Sequence, residues 1–249
     1  MKLLVISDLH IGTGDRLDIF GWRDDEFLSF LADFRGEHGI DGIILNGDIF
    51  ELHKYRMEDI EKARPVIAHY FRRADVVYIR GNHDRLCPRG TDEYVIVNAA
   101  GKRIHFEHGH ATDFVNGTIA GRVLAGMFFG ILKQAVKIRR ILTLYFKAIE
   151  INDSISRIPK RYNTFKYLNY ALRLLKKNDL VILGHTHHLE SHKTYYLNDK
   201  KRYLNCGSCS LGRFQGMVID TESLGYEGVK VDREQALLRV RSLRLSRPA

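Results

Sequence analysis

Short apolar runs recur along the chain, and each ends in a group of polar residues. Each run is four residues long and rich in leucine, isoleucine, valine or aromatic residues. Runs of this kind, bounded by turn-forming residues, are typical of buried strands. The runs are Leu3–Ile6, Gly42–Leu45, Val76–Ile79, Leu180–Leu183 and the less apolar Arg103–Phe106.

A polar motif follows each predicted strand. In open α/β sheets, binding residues collect just beyond the carboxyl ends of strands, because the turns there leave polar side chains free to converge. We therefore expect the five motifs to meet at one place. They are Asp8-Leu9-His10, Gly47-Asp48, Gly81-Asn82-His83-Asp84, His108-Gly109-His110 and Gly184-His185-Thr186-His187.

The residue types in these motifs indicate two catalytic metal ions. Carboxylate, imidazole and amide-oxygen ligands without a thiolate suit Mn²⁺ first, with Fe²⁺, Zn²⁺ or Mg²⁺ as alternatives. Two adjacent divalent ions offset the charge on phosphate oxygens and activate water, so the set favours hydrolysis of phosphate esters or anhydrides. The competing explanation is ordinary turn chemistry, since Gly, Asp and Asn dominate turns. Five such motifs at five strand ends favour a single site.

The motifs resemble those of the calcineurin-like metallophosphoesterases, and the resemblance covers residues 8–187. It implies an α/β fold in which two packed, mixed β-sheets are flanked by helices. It also implies a role for each ligand. Asp8, His10 and His187 hold the first metal, Asn82, His108 and His185 hold the second, and Asp48 bridges the two.

The same resemblance implies two catalytic residues. His83 follows the metal-binding Asn82, which places its imidazole over the scissile phosphate. Asp84 is expected to orient that imidazole, as a carboxylate orients a catalytic histidine.

The composition fits one domain. A chain of 249 residues with 45% hydrophobic content can form one α/β core with an insertion, which we place at residues 111–178. The first residues enter a predicted strand directly, so no signal peptide is expected. The longest uncharged apolar stretch, 123–132, has ten residues, about half of what a bilayer-spanning helix needs. We expect a cytoplasmic protein, with contact to the inner membrane face as an open alternative.

Charge and apolar residues concentrate in the insertion. Residues 111–178 contain 13 Lys and Arg against 3 Asp and Glu, a balance of +10 in a chain whose total is +9. A basic surface confined to one segment indicates an anionic partner. Residues 115–149 mix apolar and cationic positions without proline, which predicts one long helix or a bent helical pair, and 162–177 predicts a second helix.

A basic amphipathic helix pair beside a phosphohydrolase site is typical of a lid with an apolar inner face, or of contact with a membrane surface. The alternative is an ordinary helical hairpin that packs on the core and leaves a solvated cationic face. The candidate residues for binding an anionic headgroup or a diphosphate are Arg139, Arg140, Lys160 and Arg161.

The insertion is similar to that of the UDP-2,3-diacylglucosamine hydrolases, which cleave the pyrophosphate of a UDP-linked diacyl sugar and release UMP. Residues 8–12 and 47–51 also resemble that subgroup. The sequence departs from it at His83, where the subgroup's best-known members carry arginine. The resemblance implies a phosphorylated lipid or small molecule as substrate.

Two other functions remain open. The first is a phosphatase or phosphodiesterase for a soluble or nucleic-acid substrate, whose bases could stack on aromatic residues among the insertion's cations. Those aromatic residues are Tyr162, Phe165, Tyr167 and Tyr170. The second is a non-catalytic scaffold, which predicts eroded metal ligands, and none is eroded in this sequence. Added salt should abolish binding in a phosphate groove, whereas binding of acyl chains should survive it.

Two elements near the carboxyl terminus have simpler patterns. Alternation over Lys193–Asn205, with Asn198-Asp199 at its centre, predicts a β-hairpin. The segment Glu234–Arg247 mixes leucine and arginine, which predicts a final strand or helix, or a frayed terminus.

Overall fold

The computed structural model describes residues 1–112, 127, 131–132, 135, 137–157 and 161–246, with side chains described except at 112, 149–150, 152–157, 161–164 and 240–246. The strands are β1 Lys2–Ile6, β2 Gly42–Asn46, β3 Val76–Ile79, β4 Glu93–Val97, β5 Arg103–Glu107, β6 Leu180–Leu183, β7 Leu189–Tyr196, β8 Asp199–Cys206, β9 Arg213–Asp220 and β10 Tyr226–Asp232. The helices are α1 Asp24–His38, α2 Met57–Ala63, α3 Pro65–Tyr70, α4 Arg139–Arg157, α5 Arg161–Leu175 and α6 Arg233–Ser246, with a short 3₁₀ helix at His110–Thr112.

The strands form two mixed sheets of five strands each. The first has the order β10-β9-β1-β2-β3, and the second has the order β4-β5-β6-β8-β7. Within the first sheet β1, β2 and β3 are parallel, and within the second β5, β6 and β8 are parallel. All five strands predicted from the apolar runs are present, and the predicted fold class is confirmed.

Alternate side chains of β1 pack into two different hydrophobic cores, one on each face of the first sheet. Leu3 and Val5 belong to the core between the two sheets, which also contains Phe106 of the second sheet. Leu4 and Ile6 belong to a separate core that includes the aromatic side chains of α1. Because both faces of β1 are covered, each of these side chains contributes about 1.5–3 kcal/mol of burial free energy.

Helix α1 begins and ends where its sequence dictates. Asp24, Asp25 and Glu26 occupy its first turn, where negative charge interacts favourably with the helix dipole. Gly39 follows the last turn with φ of 61°, a left-handed conformation that glycine adopts without steric cost. The helix is thereby fixed against the outer face of the first sheet.

The two helices of the insertion pack on different sheets. Ile141, Leu142 and Tyr145 of α4 pack against the core that covers the outer face of the first sheet. Ala171 and Leu175 of α5 pack against the outer face of the second sheet. The predicted helix over 162–177 is confirmed as α5, whereas most of the helix expected over 115–149 lies outside the described residues.

Two smaller predictions are resolved by the structure. The hairpin is present as β7 and β8, but its turn residues are Leu197 and Asn198, one position earlier than predicted. Both have positive φ, 50° and 67°, as a two-residue hairpin turn requires. The final segment is the helix α6. Along the described parts of the chain, none of the helices combines the length and the apolar character needed to cross a bilayer.

Candidate dimetal centre

The five polar motifs lie where β1, β2, β3, β5 and β6 end, which is one edge of the molecule shared by both sheets. Five of the motif residues adopt left-handed backbone conformations, with φ between 50° and 68°. They are Asp8, His10, Asp48, His185 and His187. Asp and His reach this region more readily than most residues, but each still costs about 1 kcal/mol or more. Strain of this kind clusters at functional sites.

Backbone hydrogen bonds hold the loops in these conformations. The amide of Asp8 donates to the carbonyl oxygen of Gly47 over 3.0 Å, and the amide of His10 donates to that of Asp48 over 3.0 Å. The loop after β1 is therefore tied to the loop after β2. Both aspartates are thereby fixed on the same edge.

Asp8, His10 and His187 form the first group of potential ligands. The Oδ1 atom of Asp8 lies 3.2 Å from Nε2 of His187 and 4.0 Å from Nε2 of His10. Two ligands bound at right angles to one ion, each about 2.1 Å away, lie about 3 Å apart. The other carboxylate oxygen, Oδ2, accepts hydrogen bonds from the hydroxyl of Ser7 and the amide of His185, so Oδ1 is left to face an ion.

The second group is formed by Asp48, His108 and His185, whose ligand atoms lie within 4.8 Å of one another. The Oδ2 atom of Asp48 lies 3.3 Å from Nε2 of His108 and 4.0 Å from Nε2 of His10. It therefore sits between the two groups, which is the place of a bridging ligand. Its partner Oδ1 accepts the amide hydrogen of His83 over 2.8 Å, and this fixes the direction of the carboxylate.

Several buried polar atoms that point into this space have no hydrogen-bond partner among the described residues. They are Oδ1 of Asp8, Nε2 of His10, Oδ1 of Asn82 and Nε2 of His108. Each unpaired buried atom costs about 1–3 kcal/mol, and such atoms are rare in native structures. Coordination to cations would satisfy all of them. The residues present therefore fit a pair of divalent ions, and carboxylate, imidazole and amide ligands match the metals expected from the sequence.

The tautomer of His108 supports the same assignment. Its Nδ1 lies 2.9 Å from the carbonyl oxygen of Asn46, which can only accept, so Nδ1 carries a hydrogen and Nε2 faces Asp48. Burial lowers the pKa of His108, but the charges of Asp48 and Asp8 outweigh burial and raise the pKa to about 10. The carboxylates that favour a proton on Nε2 would favour a metal cation there in the same way.

Two glycines allow this close packing. A Cβ atom on Gly81 would lie 2.1 Å from Oδ1 of Asp48, and one on Gly47 would lie 2.3 Å from Nδ1 of His108. Any side chain at either position would displace a ligand. The glycines of the Gly-Asp and Gly-Asn-His-Asp motifs are therefore required by the space around the ligands.

His83 lies beside the metal ligands, but its partner is Glu51. Its Nδ1 is 2.7 Å from Oε1 of Glu51, and its Nε2 is 4.0 Å from Oδ2 of Asp48. Burial lowers the pKa of His83, whereas the charges of Glu51 and Asp48 raise it to about 9. The charges of Glu51 and Asp48 thus favour the protonated imidazole, which retains partial exposure, with 24% of its side chain accessible.

The expected role of Asp84 is wrong, because the hydrogen bonds of its carboxylate are made with residues other than His83. It accepts hydrogen bonds from the amide of Gly81 over 2.6 Å, the amide of Ile49 over 2.7 Å and the hydroxyl of Tyr78 over 2.6 Å. Asp84 is fully buried. It therefore joins the loop after β3 to the loop after β2, and the orientation of His83 falls to Glu51.

The sequence predicts no role for Glu51, although the residue lies in the segment 47–51 that resembles the hydrolase subgroup. Oε2 of Glu51 lies 3.3 Å from Nδ1 of His10 and 3.3 Å from Nζ of Lys54. A signal was present, because Glu51 lies three positions beyond Asp48 on the same loop. Its contacts depend on how the loops after β2 and β3 pack, which adjacency in the sequence does not reveal.

Two further histidines border the site. The ring of His53 lies 4.3 Å from that of His83, and the ring of His110 lies 5.6 Å from that of His108, measured between centroids. Burial and the neighbouring histidine lower the pKa of each to about 4. Both are therefore neutral at pH 7 and add hydrogen-bonding capacity without adding charge.

The candidate substrate-binding residues are only partly placed. Arg139 and Arg140 are exposed at the start of α4. Lys160 lies outside the described residues, and the side chain of Arg161 at the start of α5 is also outside them. The structure therefore places two of these four cations on the surface of the insertion.

The chain is similar to several known proteins. The chain is 28% identical over 215 residues to the UDP-2,3-diacylglucosamine hydrolase of Blochmanniella pennsylvanica, and the match covers 78% of this chain and 82% of that protein. A dimetal phosphatase from Danio rerio is 12% identical, with a TM-score of 0.47 and coverage of 92% of this chain and 98% of that chain. Vps29 from Entamoeba histolytica, complexed with zinc, is 18% identical, with a TM-score of 0.43 and coverage of 94% and 99%.

The family assignment follows from the sequence match and not from these distant structures. Residues 1–189 match the calcineurin-like phosphoesterase family, and this range contains every candidate ligand identified above. That family uses a dimetal centre, for which the chain has matching ligand clusters. The chain therefore belongs to the calcineurin-like phosphoesterase family and is a metal-dependent phosphoesterase.

Proposed function

We propose that this phosphoesterase hydrolyses the pyrophosphate of a UDP-linked diacyl sugar lipid and releases UMP. The relative from Blochmanniella pennsylvanica is named for a substrate of this kind. The observation that carries the proposal is the mixed cationic and apolar surface of α4, which belongs to an insertion flanking the metal centre.

The catalytic roles that we propose are supported by the contacts of the candidate ligands. Asp8, His10 and His187 would hold one ion, Asn82, His108 and His185 the other, and Asp48 both. Two bound ions would offset the charge of the phosphate oxygens and lower the pKa of the attacking water. His83, held by Glu51, would stabilise charge on the phosphate and donate a proton to the departing oxygen as the P–O bond breaks.

The outer surface of α4 has the chemistry of a lipid contact. Ile138, Leu144 and Ile151 are 59%, 65% and 49% exposed. Four cations and no acidic residue occur between 137 and 148, and all four cations are exposed: Lys137, Arg139, Arg140 and Lys147. Each cation near an anionic membrane contributes about 1 kcal/mol. The apolar side chains would add burial free energy of about 0.8 kcal/mol per CH₂ removed from water.

A nucleic-acid substrate is less well supported, because two of the four aromatic residues that could stack on bases are engaged. Tyr167 is only 7% exposed, and the hydroxyl of Tyr170 donates to Oε1 of Glu107 over 2.7 Å. Phe165 remains exposed, at 53%. A stacking groove needs successive accessible rings, which Tyr167 and Tyr170 do not provide, and the side chain of Tyr162 lies outside the described residues.

The test compares substrates that differ only in their acyl chains. The enzyme loaded with Mn²⁺ is assayed for UMP release from UDP-2,3-diacylglucosamine, from its deacylated counterpart and from simple UDP-sugars, at low and high salt. We expect a strong preference for the acylated substrate that persists at high salt. Equal specific activity on acylated and deacylated substrates would refute the lipid substrate and favour a phosphodiesterase for soluble substrates.

A further inference from the structure

Lys54 is a buried lysine that pairs with Glu51, the carboxylate that contacts His83. It is only 7% exposed, and its Nζ lies 3.3 Å from Oε2 of Glu51, whose side chain is 2% exposed. A buried ammonium is costly unless it is paired and hydrogen-bonded. The ion pair therefore has a defined geometry, in contrast to a surface salt bridge.

The second contact of Lys54 comes from the insertion. Tyr145 of α4 places its ring centroid 5.9 Å from Nζ of Lys54, and its hydroxyl is a hydrogen-bond partner of the ammonium. The same tyrosine packs on the core that covers the first sheet. The ammonium is thus held between the loop after β2 and the insertion helix.

Glu51 connects this contact to the site. Oε2 of its carboxylate lies 3.3 Å from both Lys54 and Nδ1 of His10, and its Oε1 lies 2.7 Å from Nδ1 of His83. Three partners fix one carboxylate. Without the ammonium, Glu51 would lose the counter-charge on one side and could turn away from His83.

We infer that Lys54 and Tyr145 are positioning residues, through which the insertion holds the Glu51–His83 pair in its productive orientation. The inference rests on the catalytic role proposed above for His83. It predicts that α4 contributes to the chemical step as well as to substrate recognition. Neither side chain needs to touch the substrate.

The first experiment replaces Lys54 with methionine, which keeps a long apolar stem and removes the charge. The substrate is bis(p-nitrophenyl) phosphate with the Mn²⁺-loaded enzyme, so that lipid recognition is not involved. Partners that orient a catalytic or ligating group typically contribute 10- to 100-fold. We expect kcat to fall by about that factor in Lys54→Met, with metal content and KM close to those of the wild type.

The matched control is Lys201→Met. Lys201 is also 7% exposed, and it pairs with Asp179 over 3.1 Å in the second sheet. Loss of a buried ion pair should destabilise both variants to a similar extent, so thermal melting separates folding from chemistry. We expect Lys201→Met to keep the wild-type kcat.

A second variant, Tyr145→Phe, removes one hydroxyl and keeps the packing of the ring. One hydrogen bond contributes about 0.5–1.5 kcal/mol, so kcat should fall about two- to tenfold. The control is Tyr70→Phe, because Tyr70 packs on the same core and accepts a hydrogen bond from Arg35 over 3.2 Å. We expect this control to leave kcat unchanged.

The dependence on leaving group gives a readout that a purely structural role would not change. If His83 protonates the departing oxygen, the defect in Lys54→Met should be larger for a phenyl phosphodiester than for its p-nitrophenyl counterpart, because phenol is the poorer leaving group. A defect equal to that of Lys201→Met, or one explained by loss of metal, would overturn the inference. The lipid substrate would still stand in that case, since it is tested by acyl dependence alone.

Discussion

The metal centre and the insertion differ in almost every physical respect. Asp8, Asp48 and His108 are at most 2% exposed, and each is fixed by hydrogen bonds between loops. On α4, Leu144 is more than half exposed, as is Ile138 just before the helix, and exposed cations lie beside them. The difference separates a buried, hydrogen-bonded edge that carries the candidate ligands from an exposed surface that fits the substrate contacts proposed above.

The largest effect should come from Asp48, the carboxylate that lies between both ligand groups. Asp48→Asn removes a charge that both ions would share, and metal-ion catalysis contributes several kcal/mol. We expect turnover of bis(p-nitrophenyl) phosphate to fall about 10³-fold or more, with less metal bound per chain by elemental analysis. Asp199→Asn, at the exposed end of the hairpin, is the control. Full metal content with wild-type turnover in Asp48→Asn would break the comparison.

A His83 variant tests whether the residues beside the metal ligands also supply general acid catalysis. His83→Ala should lower turnover by about 10²- to 10⁴-fold, the usual effect of removing a general acid or base, with metal content retained. Loss of metal together with activity would make His83 structural.

Variants of Glu51 and Asp84 sharpen that result, because the structure places Glu51 against His83, whereas adjacency in the sequence predicts Asp84 there. Glu51→Gln should lower turnover about 10- to 100-fold, and it should also lower Tm because it leaves the buried ammonium of Lys54 without its counter-charge. Asp84→Asn weakens three hydrogen bonds between loops and should lower Tm by several degrees, about 2–4 °C per kcal/mol for a chain of this size. A larger loss of turnover in Asp84→Asn than in Glu51→Gln, with metal content retained in both, would restore Asp84 as the partner of His83.

The insertion is tested by charge removal on α4. The double variant Arg139→Gln, Arg140→Gln should weaken binding to vesicles of anionic phospholipid by about 2 kcal/mol, or about 30-fold. Turnover of bis(p-nitrophenyl) phosphate should not change. The control pair is Lys176→Gln, Lys177→Gln, two exposed cations just before β6 and therefore at the opposite edge of the sheet. An equal loss of vesicle binding in both double variants would mean that binding depends on total charge and not on the surface of α4.

The smallest effect concerns a carboxylate outside both regions. Hydrogen bonds from Arg73, and also from Arg35, outweigh burial and lower the pKa of Asp75 to about 2. Because the folded-state pKa lies below the unfolded value of about 3.9, this pair stabilises the fold above pH 4 and loses that contribution as pH falls toward 2. Asp75→Asn should lower the free energy of unfolding by about 1 kcal/mol at pH 7, allowing for solvent screening. Chemical denaturation at pH 7 and pH 2.5 should show the difference shrinking.

The sequence predicts the metal centre well because its information is local. Each ligand motif begins one or two residues beyond an apolar run, and a run of four residues followed by a turn places the polar side chains at the end of a strand. Asp84 shows the limit of this logic, since the acid adjacent to His83 in sequence bonds to Ile49 instead. Lys54 and Tyr145 are 91 positions apart, so only packing of the insertion on the first sheet brings them together. The hairpin turn lies one residue earlier than predicted, because Leu197, a residue without a turn preference, adopts the left-handed conformation.

The position of the insertion between β5 and β6 has a consequence for how this enzyme can evolve. These strands are adjacent and parallel, so any chain with this sheet order needs a crossover there. Helix α5 already serves as that crossover by packing on the second sheet, which makes α4 and the residues before it additional to the topology. Each doubling of a flexible connection costs only about 0.6 kcal/mol. The fold can therefore accept a longer or shorter segment here at small cost, provided that the contact of Tyr145 with Lys54 is kept.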